Sequence, residues 1–245
     1  MHDDSDWAYT VPMSHLPRLR HLGAAALLAA VSSVSTGAQS SAPADHPLLP
    51  RDLEIELALN AAPPHLRDGA AVFVLDAAGY VKAREGTNAF TCIVSRRGGD
   101  VFPVCWDVEG AKSLLPIDLD AAKARLAGRS NAEIEQTVAA GFKDGRYRAP
   151  SKTGLAYMLS PLRYRIDAQG HAVRSNPNPH VMFYGPNLTD ADIGGVRGSV
   201  VFMNKVGPDG MIIVPVGTAE RDAIVKASQP LVERFEHHIG YEAAK

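Results

Sequence analysis

The residues best suited to chemistry gather in two short stretches and one pair. Residues 180–190 read His-Val-Met-Phe-Tyr-Gly-Pro-Asn-Leu-Thr-Asp. If the first five form a strand, His180, Met182 and Tyr184 leave it on one face. An imidazole can move a proton near neutral pH, and a phenol can donate a hydrogen bond. Asn187 and Asp190 follow in the turn, and Pro177, Pro179 and Pro186 stiffen the backbone around them. The second stretch, Lys82-Ala-Arg84-Glu85-Gly86-Thr87-Asn88, sets Arg84 and Asn88 at a strand end and a tight turn, where both could reach a ligand. The pair is His237-His238. Adjacent helical side chains point about 100° apart and do not easily share one metal ion, so this pair reads as solvated. Packing roles are open to the same residues: His180 and Tyr184 as satisfied groups at the edge of the core, Asn187 and Thr189 as turn and cap.

Established catalytic motifs are missing. No Ser opens an S-x-x-K, so Ser151-Lys152-Thr153-Gly154 matches the third β-lactamase motif only in isolation. Gly198-Ser199 lacks the first glycine of a nucleophile elbow, and no His is followed by Glu as in a zincin helix. Asp190-Ala-Asp192-Ile-Gly194 lacks the remaining calcium ligands. Gly194, Gly195 and Gly198 neither follow a strand nor open a helix with phosphate-binding spacing. No metal and no cofactor is therefore expected.

The elements that must position these residues can be read from periodicity. A short helix carries Leu53, Leu57 and Asn60 on one side and ends at Ala62-Pro63-Pro64. Ala71–Leu75, Tyr80–Arg84, Ala89–Ser95 and Val101–Trp106 read as strands joined by short turns, an antiparallel meander. Asp118–Leu126 is a helix, and Ser130 with Glu133 forms a capping box opening another to about Lys143. Strands resume at Leu155–Leu159, Arg163–Ile166, His171–Arg174 and His180–Tyr184, with an Asp167–Gly170 turn among them. Thr189 and Asp192 cap one helical turn. Val200–Met203 and Met211–Val216 form a last hairpin around Pro208-Asp209-Gly210. From Thr218 onward Ile224, Ser228, Leu231, Phe235 and Ile239 stay in helical phase across Pro230, so one kinked amphipathic helix closes the chain. The fold class is α+β: hairpins in an antiparallel sheet with flanking helices, in a single domain over residues 51–245.

The double glycine fixes one register, which the cysteines and Pro103 support. If Gly98-Gly99 is a two-residue turn, hairpin partners sum to 197, and Cys92 faces Cys105 while Val94 faces Pro103. Both are non-hydrogen-bonded pairs, where proline forfeits no ladder bond and the Cα atoms come within disulfide reach.

Composition excludes little: 46% hydrophobic, 21% charged and a net charge of −2 suit a globular chain and give no basic surface for nucleic acid. The first residues are more telling. A basic start from Met13, an apolar run Leu22–Val31 and Thr36-Gly37-Ala38 read as a signal peptide over residues 1–38, cleaved after Ala38. The alternative cleavage point is after Ala42. The acidic residues ahead of Met13 suit export poorly, so translation is expected to start at Met13. The apolar run is too short to span a bilayer, so no stable span is expected after cleavage. Residues 39–50 read as a linker.

Three segments, Ala61–Gly69, Gly86–Cys92 and His180–Thr189, resemble an uncharacterised family of exported bacterial proteins. The resemblance implies a bacterial, extracytoplasmic setting (periplasm or extracellular) and carries no activity. The expected function is an extracytoplasmic module that binds a small ligand or an envelope protein, with His180, Tyr184, Asn187, Asp190, Arg84 and Asn88 as candidate contacts. The rival is a hydrolase with His180 as base and Tyr184 and Asn187 as donors.

Overall fold

A computed structural model describes residues 48–166, 172–175, 178–196 and 199–241. The segment read as a signal peptide, most of the expected linker and the expected Asp167–Gly170 turn lie outside the described residues.

Helix α1 (Arg51–Asn60) starts after Pro50, with Asp52 and Glu54 in its first turn, where carboxylates favour the helix dipole. Pro63 and Pro64 prevent its continuation, and Pro64 instead opens the short α2 (Pro64–Arg67). Strands β1 (Ala71–Asp76) and β2 (Gly79–Arg84) form the first hairpin. The third strand departs from a meander: β3 (Thr91–Ser95) lies parallel to β1, pairing Ala71 with Thr91 and Val72 with Cys92, and β2 stays on the sheet edge. The reason lies in residues 85–90. The chain crosses beneath the start of β1 at Gly86, where a Cβ would stand 2.6 Å from the Ala71 nitrogen. The Thr87 and Asn88 N–H groups donate to Gly69 O, and Ala71 N–H donates to Phe90 O. Only glycine lets the loop pass this close.

The β3–β4 hairpin (β4, Asp100–Trp106) has the register read from its cysteines, with Cys92 opposite Cys105 and Val94 opposite Pro103. Gly98 and Gly99 both have positive φ, 70° and 83°, as a two-residue hairpin turn requires. The Cys92–Cys105 disulfide joins Cα atoms 4.0 Å apart.

Beyond β4 come α3 (Val108–Ser113), α4 (Leu115–Leu126) and α5 (Asn131–Lys143). The Ser130–Glu133 capping box is present at the start of α5. Strands β5 (Leu155–Met158), β6 (Tyr164–Ile166), β7 (Ala172–Arg174), β8 (His180–Tyr184), β9 (Phe202–Met203) and β10 (Met211–Pro215) follow. The sheet is mixed but mostly antiparallel, in the order β2-β1-β3-β4-β5-β8-β10-β9, with β6 pairing the first residues of β4 and also β7. Helix α6 (Thr218–His238) runs unbroken through Pro230 and buries Ser228, Val232 and Phe235.

Alternation along the strands divides two cores. Cys92, Val94 and Cys105 pack with Leu53, Leu57, Val232 and Phe235 beneath α1 and α6. Ile93, Val104, Trp106, Ala156 and Met182 pack with Leu115, Ile117, Ile134 and Val138 of α4 and α5. The architecture is therefore α+β, with helices on both faces of the sheet. Among the described residues no helix is long and apolar enough to cross a membrane.

Candidate functional site

The face that packs on α4 and α5 is not fully covered. A row of facing residues runs Trp106, Ala156, Met182, Ile213 across β4, β5, β8 and β10. Ala156, fully buried, sits in this row between the Trp106 and Met182 positions. The next row sets Met158 directly opposite His180. Helices α4 and α5 and the Asn204–Asp209 loop rise around this floor and enclose a cleft of about 420 Å³. Phe102, Trp106, Met158, Met182, Met211 and Ile213 give it an apolar, sulfur-rich floor, and Arg97, Asp118, Arg163, His180 and Asp209 are among its polar groups. That mixture of an apolar bed and a few polar groups is usual for small-molecule sites.

Asp118 stands in the buried stripe of α4, three residues after Leu115 and four before Ala122. Its Oδ1 accepts a hydrogen bond from Ser95 Oγ at 2.9 Å. Burial pushes its pKa up to about 6, against the opposing pull of Arg97 and the Ser95 hydroxyl. The Trp106 indole N–H also acts on the Asp118 charge, but makes no hydrogen bond of ordinary length and angle. A carboxyl of this kind can hold or release a proton in a mildly acidic medium.

Asp209, 4% exposed, is clamped by Arg97 Nη2 and Lys205 Nζ, each at 2.6 Å. Burial would raise its pKa, but these two cations outweigh burial and lower it. Arg97 also lies 3.5 Å from Glu135. On the other side Asp100 gathers Arg163 at 2.7 Å and Arg165 at 2.9 Å, and the Arg163 guanidinium sits 5.8 Å from the centre of the Phe102 ring. Each lining cation thus already has a carboxylate partner. The cleft is poorly suited to a multiply charged anion.

His180 is 5% exposed, and its Nδ1 lies 2.5 Å from Asn178 O. A carbonyl only accepts, so Nδ1 carries the proton and Nε2 is left as an acceptor. Burial lowers the imidazole pKa, against the Asn178 bond that raises it, and Arg163 lowers it further.

The other residues singled out from sequence do not join His180 in this cleft. Tyr184 shares its strand face, but its hydroxyl donates to Asp107 Oδ1 at 2.6 Å and lies 2.9 Å from Leu155 O. Asp107 is the N-cap of α3, accepting from Gly110 N–H, and also accepts from Leu155 N–H. The Tyr184 ring fits only because Gly110 and Gly154 lack a Cβ. Burial, then Asp107, raises the Tyr184 pKa above the usual phenol range. Asn187, with φ 62°, lines a second cavity of about 690 Å³ beside Phe142, Tyr147 and Pro208. Asp190 accepts from Met203 N–H at 2.7 Å. Arg84 donates to Ala70 O at 2.7 Å and to Arg67 O, and Asn88 donates to Leu66 O at 2.8 Å. These last two hold the chain that enters β1.

Sequence reasoning missed Asp118, Arg97, Asp209 and Met158. A carboxylate inside the apolar stripe of α4 was the available signal for Asp118; the others depend on long-range pairing. Among the described residues no cluster of three or more His, Cys, Asp or Glu side chains is placed to hold a metal. Comparisons with models of protein families, with curated proteins and with solved structures find no match.

Proposed function

We propose that this chain is an extracytoplasmic binding module whose small organic ligand lies in the cleft over β4, β5, β8 and β10. One observation carries the reading: an aromatic and thioether floor meets His180 and Asp118, while the lining cations are already paired with carboxylates. Such a surface favours a neutral or weakly cationic molecule with an apolar body and one or two hydrogen-bonding groups. The hydrolase alternative has less support, because Tyr184 is committed to Asp107 and Asn187 opens on another cavity. Export is supported by the leader-like residues 13–38 and by the disulfide, which persists in oxidising compartments. It predicts a mature protein beginning at Gln39; a mature chain still carrying Met1 or Met13 contradicts it.

The binding reading is tested by native mass spectrometry of protein taken from its own compartment. A co-purifying small molecule is expected, lost in His180→Ala with little change in melting temperature. A His180→Ala protein that melts lower yet retains the molecule with wild-type affinity removes His180 from the site.

A further inference from the structure

We propose that His180, Met158 and Met182 form a binding site for a soft monovalent metal ion, copper(I). Strand register brings the three side chains to one face. Met158 and His180 are direct partners across β5 and β8, and Met182 lies two residues further along β8 on the same face. Side chains of directly opposite residues start about 5 Å apart and diagonal ones about 7–8 Å apart. Methionine has three rotatable bonds, enough to bring two Sδ atoms and one imidazole nitrogen onto a common point. All three residues, with Met211, line the same cleft.

The histidine is already arranged as a ligand. Metal-bound imidazoles ordinarily donate their other ring N–H to a carbonyl or carboxylate, which fixes the tautomer and the ring plane. The Nδ1–H to Asn178 O bond does this at 2.5 Å and leaves Nε2 with its lone pair and no protein partner among the described residues. Two thioethers are soft donors and an imidazole is a borderline one, a set that suits copper(I) and not the hard ions magnesium and calcium. The hard oxygen donors nearby are engaged elsewhere, Asp100 with Arg163 and Arg165, Asp209 with Arg97 and Lys205. A single positive charge is also tolerable there. Arg97, Arg163 and Lys205 oppose it, whereas Asp100, Asp118, Asp209 and Glu135 line the same cleft and offset them. The site takes Met158, His180 and Met182 from the floor proposed above for an organic ligand, so the two would compete for this end of the cleft, and each is tested with its own probe.

The test is anaerobic titration of the full chain with copper(I) against a chromophoric copper(I) chelator. Wild-type protein should withdraw one equivalent assigned to this site. Met158→Leu, Met182→Leu and His180→Ala should each weaken it by no less than about tenfold, since even outer-shell changes cost 10–100-fold. His65→Ala, an exposed histidine, should leave it unchanged. Methionine and leucine have similar volumes, so the Leu variants should keep the fold. X-ray absorption at the copper edge of the wild-type complex gives a reading that needs no variant, and should show sulfur scatterers beside nitrogen. Failure to compete with the chelator, equal affinity in the Met158→Leu/Met182→Leu double variant, or a spectrum of nitrogen and oxygen scatterers alone overturns the proposal. None of these outcomes bears on the organic ligand, which mass spectrometry reads separately.

Discussion

Arg96 donates to the Glu54 carboxylate at 2.8 Å, and neither side chain is more than 1% exposed. The pair fills the gap where β1 and β3, after two paired residues, part company. Glu54 Oε1 also accepts the Leu75 N–H, and Arg96 Nη1 also donates to Val94 O and to the Tyr80 hydroxyl. A buried polar wedge thus replaces the ladder bonds that a continuous pairing would supply.

That wedge is strong only as a unit. Glu54→Ala strands a buried guanidinium and should lower stability by about 3–5 kcal/mol in urea unfolding. Glu54→Leu with Arg96→Met should recover most of that loss, because apolar replacements leave no buried charge. A double variant as unstable as the single one contradicts this account.

The disulfide should contribute about 2–4 kcal/mol, the usual range for such bridges. Thiol labelling of unreduced, denatured protein from its native compartment should find neither Cys92 nor Cys105 free. Cys92→Ala should lower the urea midpoint accordingly, and full labelling of both thiols contradicts the pairing.

Asp118 makes stability depend on pH in an unusual direction. Its folded pKa, about 6, lies above the ordinary value of 3.8. Between those values the folded state therefore binds more protons than the unfolded one, and this group's contribution to stability falls as pH rises from about 4 to 6. Asp118→Asn should flatten that slope in unfolding curves taken across the window. An unchanged slope shows that the carboxyl is not the group responsible.

Tyr184 should behave as a structural residue. Tyr184→Phe removes a hydrogen bond to the Asp107 carboxylate and should cost about 1.5–3 kcal/mol, the range for bonds to charged groups. Ligand binding in the cleft should be unaffected. Lost binding at unchanged stability would return Tyr184 to the site.

Local signals were the legible ones. The Ser130–Glu133 box, the double glycine between β3 and β4, and the phase of α6 across Pro230 each lie within a few residues, and each is found where expected. Parallel pairing of β1 with β3 was not legible, because it depends on Gly86 passing beneath Ala71, a contact between segments fifteen residues apart. Helix α3 was missed because its start depends on the Asp107 cap, with no apolar period long enough to mark six residues. The site divides the same way. Period-two geometry put His180 and Met182 on one face. Met158 enters through the β5–β8 register, and Asp209 through its pairing with Arg97, 112 residues distant in the chain.

The central claim is that the cleft over β4, β5, β8 and β10 is where this protein meets its ligand. Methionine-methyl and indole NMR spectra, recorded against a library of small organic fragments, test it most directly. Binding fragments are expected to shift the methyl signals of Met158, Met182 and Met211 and the Trp106 indole signal together. Fragments that leave these four unmoved and instead perturb the cavity of Phe142, Tyr147 and Pro208 would contradict it.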